Sequence, residues 1–455
     1  MDVVGRTASE LAAHVQSGRA SAVDVVREHL EHLAKIEHRL GAFVSTRHRG
    51  ALADAAAVDA DDGRGERPLA GVPVAIKDNV DLAGEPTRFG SRATSSAPAR
   101  DDHPVVARLK SAGAIVVGKT RMPELGLWGT SDDPDGVAVS PWDPTRTAGG
   151  SSGGSAAAVG AGIAPIALGA DGLGSTRIPA AACGVFGFKP GADLLPEIVA
   201  DAHHWFGMSR YGVFATTVAD AAIVVDVLAG TQLAAVTPVA DRIRVAVSFK
   251  SPAPGVAVTG PWKEAAIEAG RLMHHAGHIV ERVDPPYDQS AVQAALARWT
   301  QGALEDVAAL GIDRDALQPR TRGHLARAEQ LVRVRSVRDE DAERWQSRVA
   351  PFFAEHDVLI TPAFARTQPS STAWHTKPWV SNVAVNLSTY PFMAPWNLAD
   401  VPAATVPLWH DGGRPLAVQI VAARGREDLV FAVAAKLEAM VGWTRHAPGW
   451  GVPRH

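Results

Sequence analysis

The chain has 455 residues, of which 46% are hydrophobic and 21% charged, ordinary values for a soluble globular protein with a sizeable core. A formal net charge of -4 supplies no basic field, which argues against nucleic acid or an anionic lipid surface as partner. The single cysteine, Cys183, excludes an internal disulfide framework and a cysteine-based zinc cluster, and fits a reducing compartment.

The N-terminal MDVVGRTASE has no basic stretch followed by an apolar one, so it does not read as a secretion signal. The longest apolar run, residues 156–170, is too short for a membrane span and is interrupted by Gly and Pro. A cytoplasmic protein is expected. At ~150 residues per domain the length would allow three domains, but large α/β enzymes carry one sheet across such a span.

In chain order, Ser21 is placed to cap a helix, with Asp24 in the capping-box position. Val26, Leu30, Leu33 and Leu40 then recur at helical spacing. An Ala-rich helix is predicted over 50–60 and a polar, Gly-rich loop over 61–68. Two short β-branched runs follow, 72–76 ending at Lys77 and 114–117 ending at Gly118-Lys119, with a helix predicted over 104–111 between them. Strand, helix, strand implies a parallel α/β unit.

A helix of small residues is predicted over 155–162 and a short strand over 164–170. A second unit comprises a strand at 243–247, a helix at 262–273 and a strand at 278–283. Another strand is predicted over 357–360, and the last long helix starts near Asp428 with Leu429, Val433, Leu437 and Met440 on one face. The expectation is a single α/β domain, 1–455, with a helical insertion at about 284–350.

Chemistry concentrates in two glycine-rich loops. Residues 148–155, AGGSSGGS, hold four glycines and three serines. Glycine permits conformations and close approaches closed to other residues. Such a loop before a small-residue helix suits either a phosphate cradle or a catalytic loop presenting hydroxyls. The phosphate cradle would end in Gly-Lys-Ser/Thr, which is absent. The second loop, 171–179, reads DGLGSTRIP and again sets a serine among glycines after a predicted strand. Its backbone N–H groups can form an oxyanion hole. Lys77 ends another predicted strand, and open α/β sheets bind ligands at the carboxyl ends of their strands. Cys183 stands among small apolar residues and reads as a buried structural thiol. The scattered histidines, including the pairs His29/His32 and His203/His204, lack further ligands for a metal site.

Three segments together resemble the amidase signature family: GVPVAIKDN at 71–79, GGSSGGSAAA at 149–158, and the 171–189 stretch. Flanking text agrees in order, namely VVGKTRMPELG, SPWDPTRTAGG, CGVFGFKP, PWNLADVPAATVPL and VQIVAARGREDL. The match leaves out 195–212 and 284–350. The resemblance implies a single large mixed β-sheet core surrounded by helices, and a Ser-Ser-Lys triad. Carried over residue by residue, Ser175 is the nucleophile, Ser151 relays its proton after a cis Gly150-Ser151 bond, and Lys77 is the base. The backbone N–H groups of Gly172, Leu173, Gly174 and Ser175 form the oxyanion hole, with Ser152, Asp171 and Arg177 in support. A lysine can serve as base when burial or its neighbours lower its pKa towards neutrality.

The implied reaction is hydrolysis of a linear carboxamide through an acyl-enzyme, with no metal or other cofactor. The partner is a small-molecule amide, and a homodimer is compatible with the sequence. Two alternatives share these motifs: the glutaminase subunit of a tRNA-dependent amidotransferase, and a catalytically impaired binding homologue. The second draws on a departure from the family pattern. Leu173 stands where glycine is usual, and Gly172 where a side chain is usual. Gly172 is expected to absorb the unusual dihedrals of the loop, leaving Leu173 to line the acyl pocket. His203, His204, Trp205, Phe206 and Trp396 suggest an aromatic-lined pocket as readily as ordinary packing.

Overall fold

In the computed structural model, which describes residues 2–192, 194–195, 204–235 and 242–453, the apolar runs gather into one sheet of eleven strands. The strands are β1 (Phe43–Thr46), β2 (Pro73–Lys77), β3 (Ile115–Thr120), β4 (Ile166–Asp171), β5 (Phe186–Lys189), β6 (Arg210–Ala215), β7 (Arg244–Val247), β8 (Ile279–Arg282), β9 (Val358–Pro362), β10 (Ala403–Asp411) and β11 (Arg414–Ala422). Their spatial order is β1-β3-β2-β4-β6-β5-β10-β11-β9-β7-β8. The sheet is mixed: β3-β2-β4 and β9-β7-β8 run parallel, while the pairs from β4 through β6, β5, β10 and β11 to β9 are antiparallel.

Both anticipated strand-helix-strand units form. Helix Pro104–Ser111 links β2 to its parallel neighbour β3, and helix Gly260–His275 links β7 to its parallel neighbour β8. Every residue of β2, β3 and β4 is buried, because helices cover both faces, and such strands read as unbroken apolar runs rather than alternating ones. The hairpin β10–β11, which joins the two halves of the sheet through the two-residue turn Gly412-Gly413, was not predicted as strand.

Local expectations meet small corrections. Ser21 Oγ accepts the Asp24 N–H at 3.0 Å and opens helix Ala22–Leu40, but the reciprocal half of a capping box is missing. Asp24 takes the Ser21 hydroxyl instead, at 2.7 Å, because its side chain is one methylene shorter than glutamate. A complete capping box occurs at Thr7 and Glu10, starting helix Ala8–Gln16. The loop at 61–68 contains a single 3₁₀ turn, Asp62–Glu66. Helix Gly153–Gly160 begins two residues before its expected start, since the glycines tolerate close packing against neighbouring backbone. On helix Glu427–Val441, Leu429, Val433 and Leu437 are buried, but Met440 is 38% exposed past the edge of the core.

Helices Pro319–Val334 and Asp339–Glu355 both pack on helix Gln289–Ala309, and together they supply a second apolar cluster around Trp128, Trp299 and Trp345 that also takes in Ala246, Leu359, Ala403 and Val421 of the sheet. Among the described residues, no helix is long and apolar enough to cross a membrane.

Candidate active site

Parallel pairing of β2 with β4 brings the ends of both strands to one edge of the sheet. Lys77 is the last residue of β2 and Asp171 the last of β4. The loop carrying Ser175 leaves that edge directly, and the loop before helix Gly153–Gly160 folds against it.

Lys77 is only 2% exposed, and its Nζ donates to Ser151 Oγ at 2.7 Å and to Ala170 O at 3.5 Å. Burial lowers its pKa to about 7, against the opposing pull of the Asp171 charge. Two other lysines are as deeply buried. Lys119 pairs with Asp78 at 3.2 Å, and Lys189 donates to the carbonyl of Pro190 at 2.8 Å. Burial, with the Arg177 charge, also brings Lys189 to about 7, so a lowered pKa alone does not mark a base. What sets Lys77 apart is its contact with a serine hydroxyl in a cavity that Ser175 also lines.

Ser151 follows a cis peptide bond with Gly150. Its carbonyl accepts the Ser131 hydroxyl at 3.2 Å, and that hydroxyl in turn accepts the Gly153 N–H at 2.9 Å. Ser152 joins the pieces: its hydroxyl donates to Ala170 O at 3.1 Å and accepts the Ala170 N–H at 3.2 Å, while its own N–H donates to Ser175 O at 3.2 Å. The hydroxyls of Ser151 and Ser175 do not bond each other directly; both residues line one cavity of about 310 Å³, with Lys77, Asn79 and Ser209.

Asp171 organises the Ser175 loop. Its carboxylate accepts the N–H groups of Gly174 at 2.7 Å and Thr176 at 3.2 Å, Arg177 Nε and Nη2 at 2.9 Å each, and Asn397 Nδ2 at 2.9 Å. Burial alone would raise the pKa of this acid, but the Arg177 guanidinium and the Asn397 amide hold it well below the usual carboxylate range. Arg177 also donates to Gln419 Oε1 and Asn397 Oδ1, each at 2.6 Å. Asn397 and Gln419 went unassigned in the sequence. The available signal was a single polar residue inside an apolar stretch, most plainly Gln419 in PLAVQIVA.

One expectation about the loop is corrected. Gly172 does not take the left-handed conformation; Gly174 does, at φ 106°, because its N–H is turned back onto Asp171. That bond engages the N–H of Gly174, one of the four expected oxyanion donors, with Asp171. Leu173 keeps an ordinary backbone and lines a larger neighbouring cavity of about 830 Å³. Trp128, Trp205, Trp299, Ile178 and Leu296 line it as well.

Of the anticipated aromatic cluster, His204 and Trp205 reach the site, and His203 lies outside the described residues. Trp396 is fully buried against Trp345 and Phe353, and neither it nor Phe206 lines either cavity. Trp128 and Trp299 fill that role instead; they come from segments in which no periodicity pointed to a pocket. Cys183 is buried with its pKa raised by desolvation, a packed and inert thiol.

Comparison with known proteins identifies the family. The family model for amidases matches residues 24–431. A protein named as amidase AmiB2 in Mycobacterium tuberculosis is 36% identical over 462 residues, covering 98% of each chain. An acylamidase of Rhodococcus erythropolis is 31% identical over 468 residues, covering 97% of each. The structure of 6-aminohexanoate cyclic dimer hydrolase complexed with substrate superposes with a TM-score of 0.90 at 27% identity, covering 99% of this chain and 100% of the other. With its mixed eleven-stranded sheet and this near full-length match, the chain is an amidohydrolase of the amidase signature family.

Proposed function

We propose that the protein hydrolyses carboxylic acid amides through an acyl-enzyme on Ser175, activated by Ser151 and Lys77, without a metal or nucleotide. The observation that carries this reading is the 2.7 Å contact from Lys77 Nζ to Ser151 Oγ in a cavity that Ser175 also lines. A serine hydroxyl is a weak nucleophile until a base takes its proton, and a lysine near pKa 7 is partly neutral at ordinary pH.

In the proposed reaction, Ser175 Oγ bonds to the amide carbon while its proton passes to Ser151 and the Ser151 proton passes to neutral Lys77. Backbone N–H groups among Gly172, Leu173 and Ser175 receive the negative charge on the carbonyl oxygen. The carbon–nitrogen bond then breaks, and the proton returns through Ser151 to the departing nitrogen. Water, deprotonated by the same relay, attacks the acyl carbon and releases the acid and Ser175. The Ser151–Ser175 transfer requires the two hydroxyls to close together when substrate binds, a common tightening of catalytic hydrogen bonds on complex formation. The relatives named amidase, acylamidase and cyclic dimer hydrolase support amide cleavage as the reaction class.

A glutaminase role would call for a cation to hold the substrate α-carboxylate. Lys77 is the one lysine or arginine among the described residues lining either cavity, and it is engaged by Ser151. A hydrolysis screen over alkyl, aryl and amino-acid amides, run with a fluorophosphonate probe, tests the proposal. Labelling at Ser175 with turnover of at least one amide is expected. No labelling and no turnover would overturn it.

A further inference from the structure

Trp205 is a wall built into the site. It lines both cavities, as do Ser175 and Gly126. Its ring passes between two glycines: a Cβ on Gly172 would lie 2.6 Å from Trp205 Cε3, and one on Gly302 would lie 2.7 Å from Trp205 Cδ1. The indole Nε1 donates to Asp306 Oδ2 at 2.9 Å, and His204, stacked on the ring, meets Asp306 Oδ1 at 3.2 Å. Trp205 and Phe206 both hold left-handed φ values, 52° and 54°, which non-glycine residues keep only where their surroundings enforce them. Gly172, unusual at its position in the family pattern, is thus the residue that admits the ring.

The two sides of this wall differ in chemistry. The smaller cavity, about 310 Å³, carries Lys77, Ser151, Asn79, Ser209 and His204. The larger, about 830 Å³, has no charged residue among its described lining. Some of its polar groups are spent on the protein, while the buried Tyr390 hydroxyl and Trp128 Nε1 hold no hydrogen-bond partner among the described residues. Asn386 accepts the Gly129 N–H at 3.0 Å and donates to Asn382 O at 2.8 Å, and Trp299 Nε1 donates to Leu127 O at 3.1 Å. A carboxylate or ammonium placed there would lose water and meet no opposite charge among the described lining, only neutral polar groups such as the Tyr390 hydroxyl.

We propose that Trp205 separates a wide apolar compartment for the acyl group from a small one, holding the Lys77–Ser151 pair, for the departing nitrogen, which selects primary or small N-alkyl amides of uncharged aromatic or aliphatic acids. This rests on the acyl-enzyme reading above. The nitrogen that leaves must collect the proton that Ser175 gave up, and the Ser151–Lys77 relay holding that proton lines the smaller cavity. The nitrogen therefore departs on that side, where ammonia or methylamine fits and an aryl amine meets Trp205. The acyl group occupies the other side, against Leu173, Trp128 and Trp299.

The test compares kcat/KM for phenylacetamide, N-methylphenylacetamide, phenylacetanilide and glutamine, in the wild-type protein and in Trp205→Ala and Trp205→Phe. Phenylacetamide is expected to exceed the anilide by at least about tenfold, and glutamine by more. Trp205→Ala is expected to shrink the primary-amide-to-anilide ratio by about tenfold, with Trp205→Phe between it and wild type. Should the alanine variant fail to fold, the phenylalanine variant and the wild-type panel decide the matter. An anilide preference in wild type, or an unchanged ratio in the folded variants, overturns the partition while fluorophosphonate labelling of Ser175 upholds the amidase reading. Absence of both labelling and turnover overturns the two together.

Discussion

Asp171 and Arg177 form a pair with no solvent contact, in which Arg177 Nε and Nη2 each reach the carboxylate at 2.9 Å. The same carboxylate holds the backbone of Gly174 and Thr176, so the pair shapes the loop that presents Ser175. Arg177→Gln removes one charge and strands the other in a dry interior. The expected loss of stability is about 3–5 kcal/mol, together with a fall in kcat because the Ser175 loop loses its brace. Urea denaturation checks the first and steady-state kinetics the second; a variant as stable as wild type would contradict this account.

Removing the reacting groups directly gives a different signature. Ser175→Ala is expected to abolish nearly all turnover, and Ser151→Ala and Lys77→Ala to lower kcat by at least about a hundredfold each. Circular dichroism should show native folds. Wild-type rates in Ser175→Ala would rule out an acyl-enzyme on that residue.

The pH profile follows from the burial of Lys77. Desolvation brings its pKa from 10.5 to about 7, and only the neutral amine can accept a proton. Below that value the amine is protonated and inactive, so kcat/KM should climb as pH rises through about 7 and level off above it. An optimum in acid near pH 5 would mean that a group other than this lysine accepts the proton.

Gly172→Ala sets a methyl group against the Trp205 ring, where 2.6 Å is available. The expected result is a fall in kcat/KM of about tenfold, partly restored when Trp205→Ala is added. Additive effects in this double-mutant cycle would show that the two residues act separately.

Leu173→Gly strips a side chain from the wall of the larger cavity but leaves its N–H in place. Preference among acyl groups should change more than the rate on the best substrate. A gain of about a hundredfold across all amides would instead show that leucine impairs the native oxyanion hole.

Much of the architecture was legible in the chain because it depends on neighbours in sequence. The β-branched run ending at Lys77, the small-residue helix after the double-serine loop and the two strand-helix-strand units follow from short-range pattern and from the fixed hand of parallel connections. The glycine and serine loops announced close backbone packing, and their resemblance to a known family pointed to the residues that converge at the strand ends. The hairpin β10–β11 escaped notice because its buried strands carry no alternation to separate them from any other apolar run.

Tertiary structure decided what the sequence could not specify. Which loop residue turns left-handed was settled by Asp171 capturing the Gly174 N–H, a bond whose geometry no propensity encodes. Asn397 and Gln419 gained meaning only when the fold delivered them to Arg177 from far along the chain. Trp128, Trp205 and Trp299 are likewise distant in sequence, and it is packing that places them around Ser175. A sequence states which side chains are apolar; the shape of the space they enclose exists only once their backbones have been fixed against one another.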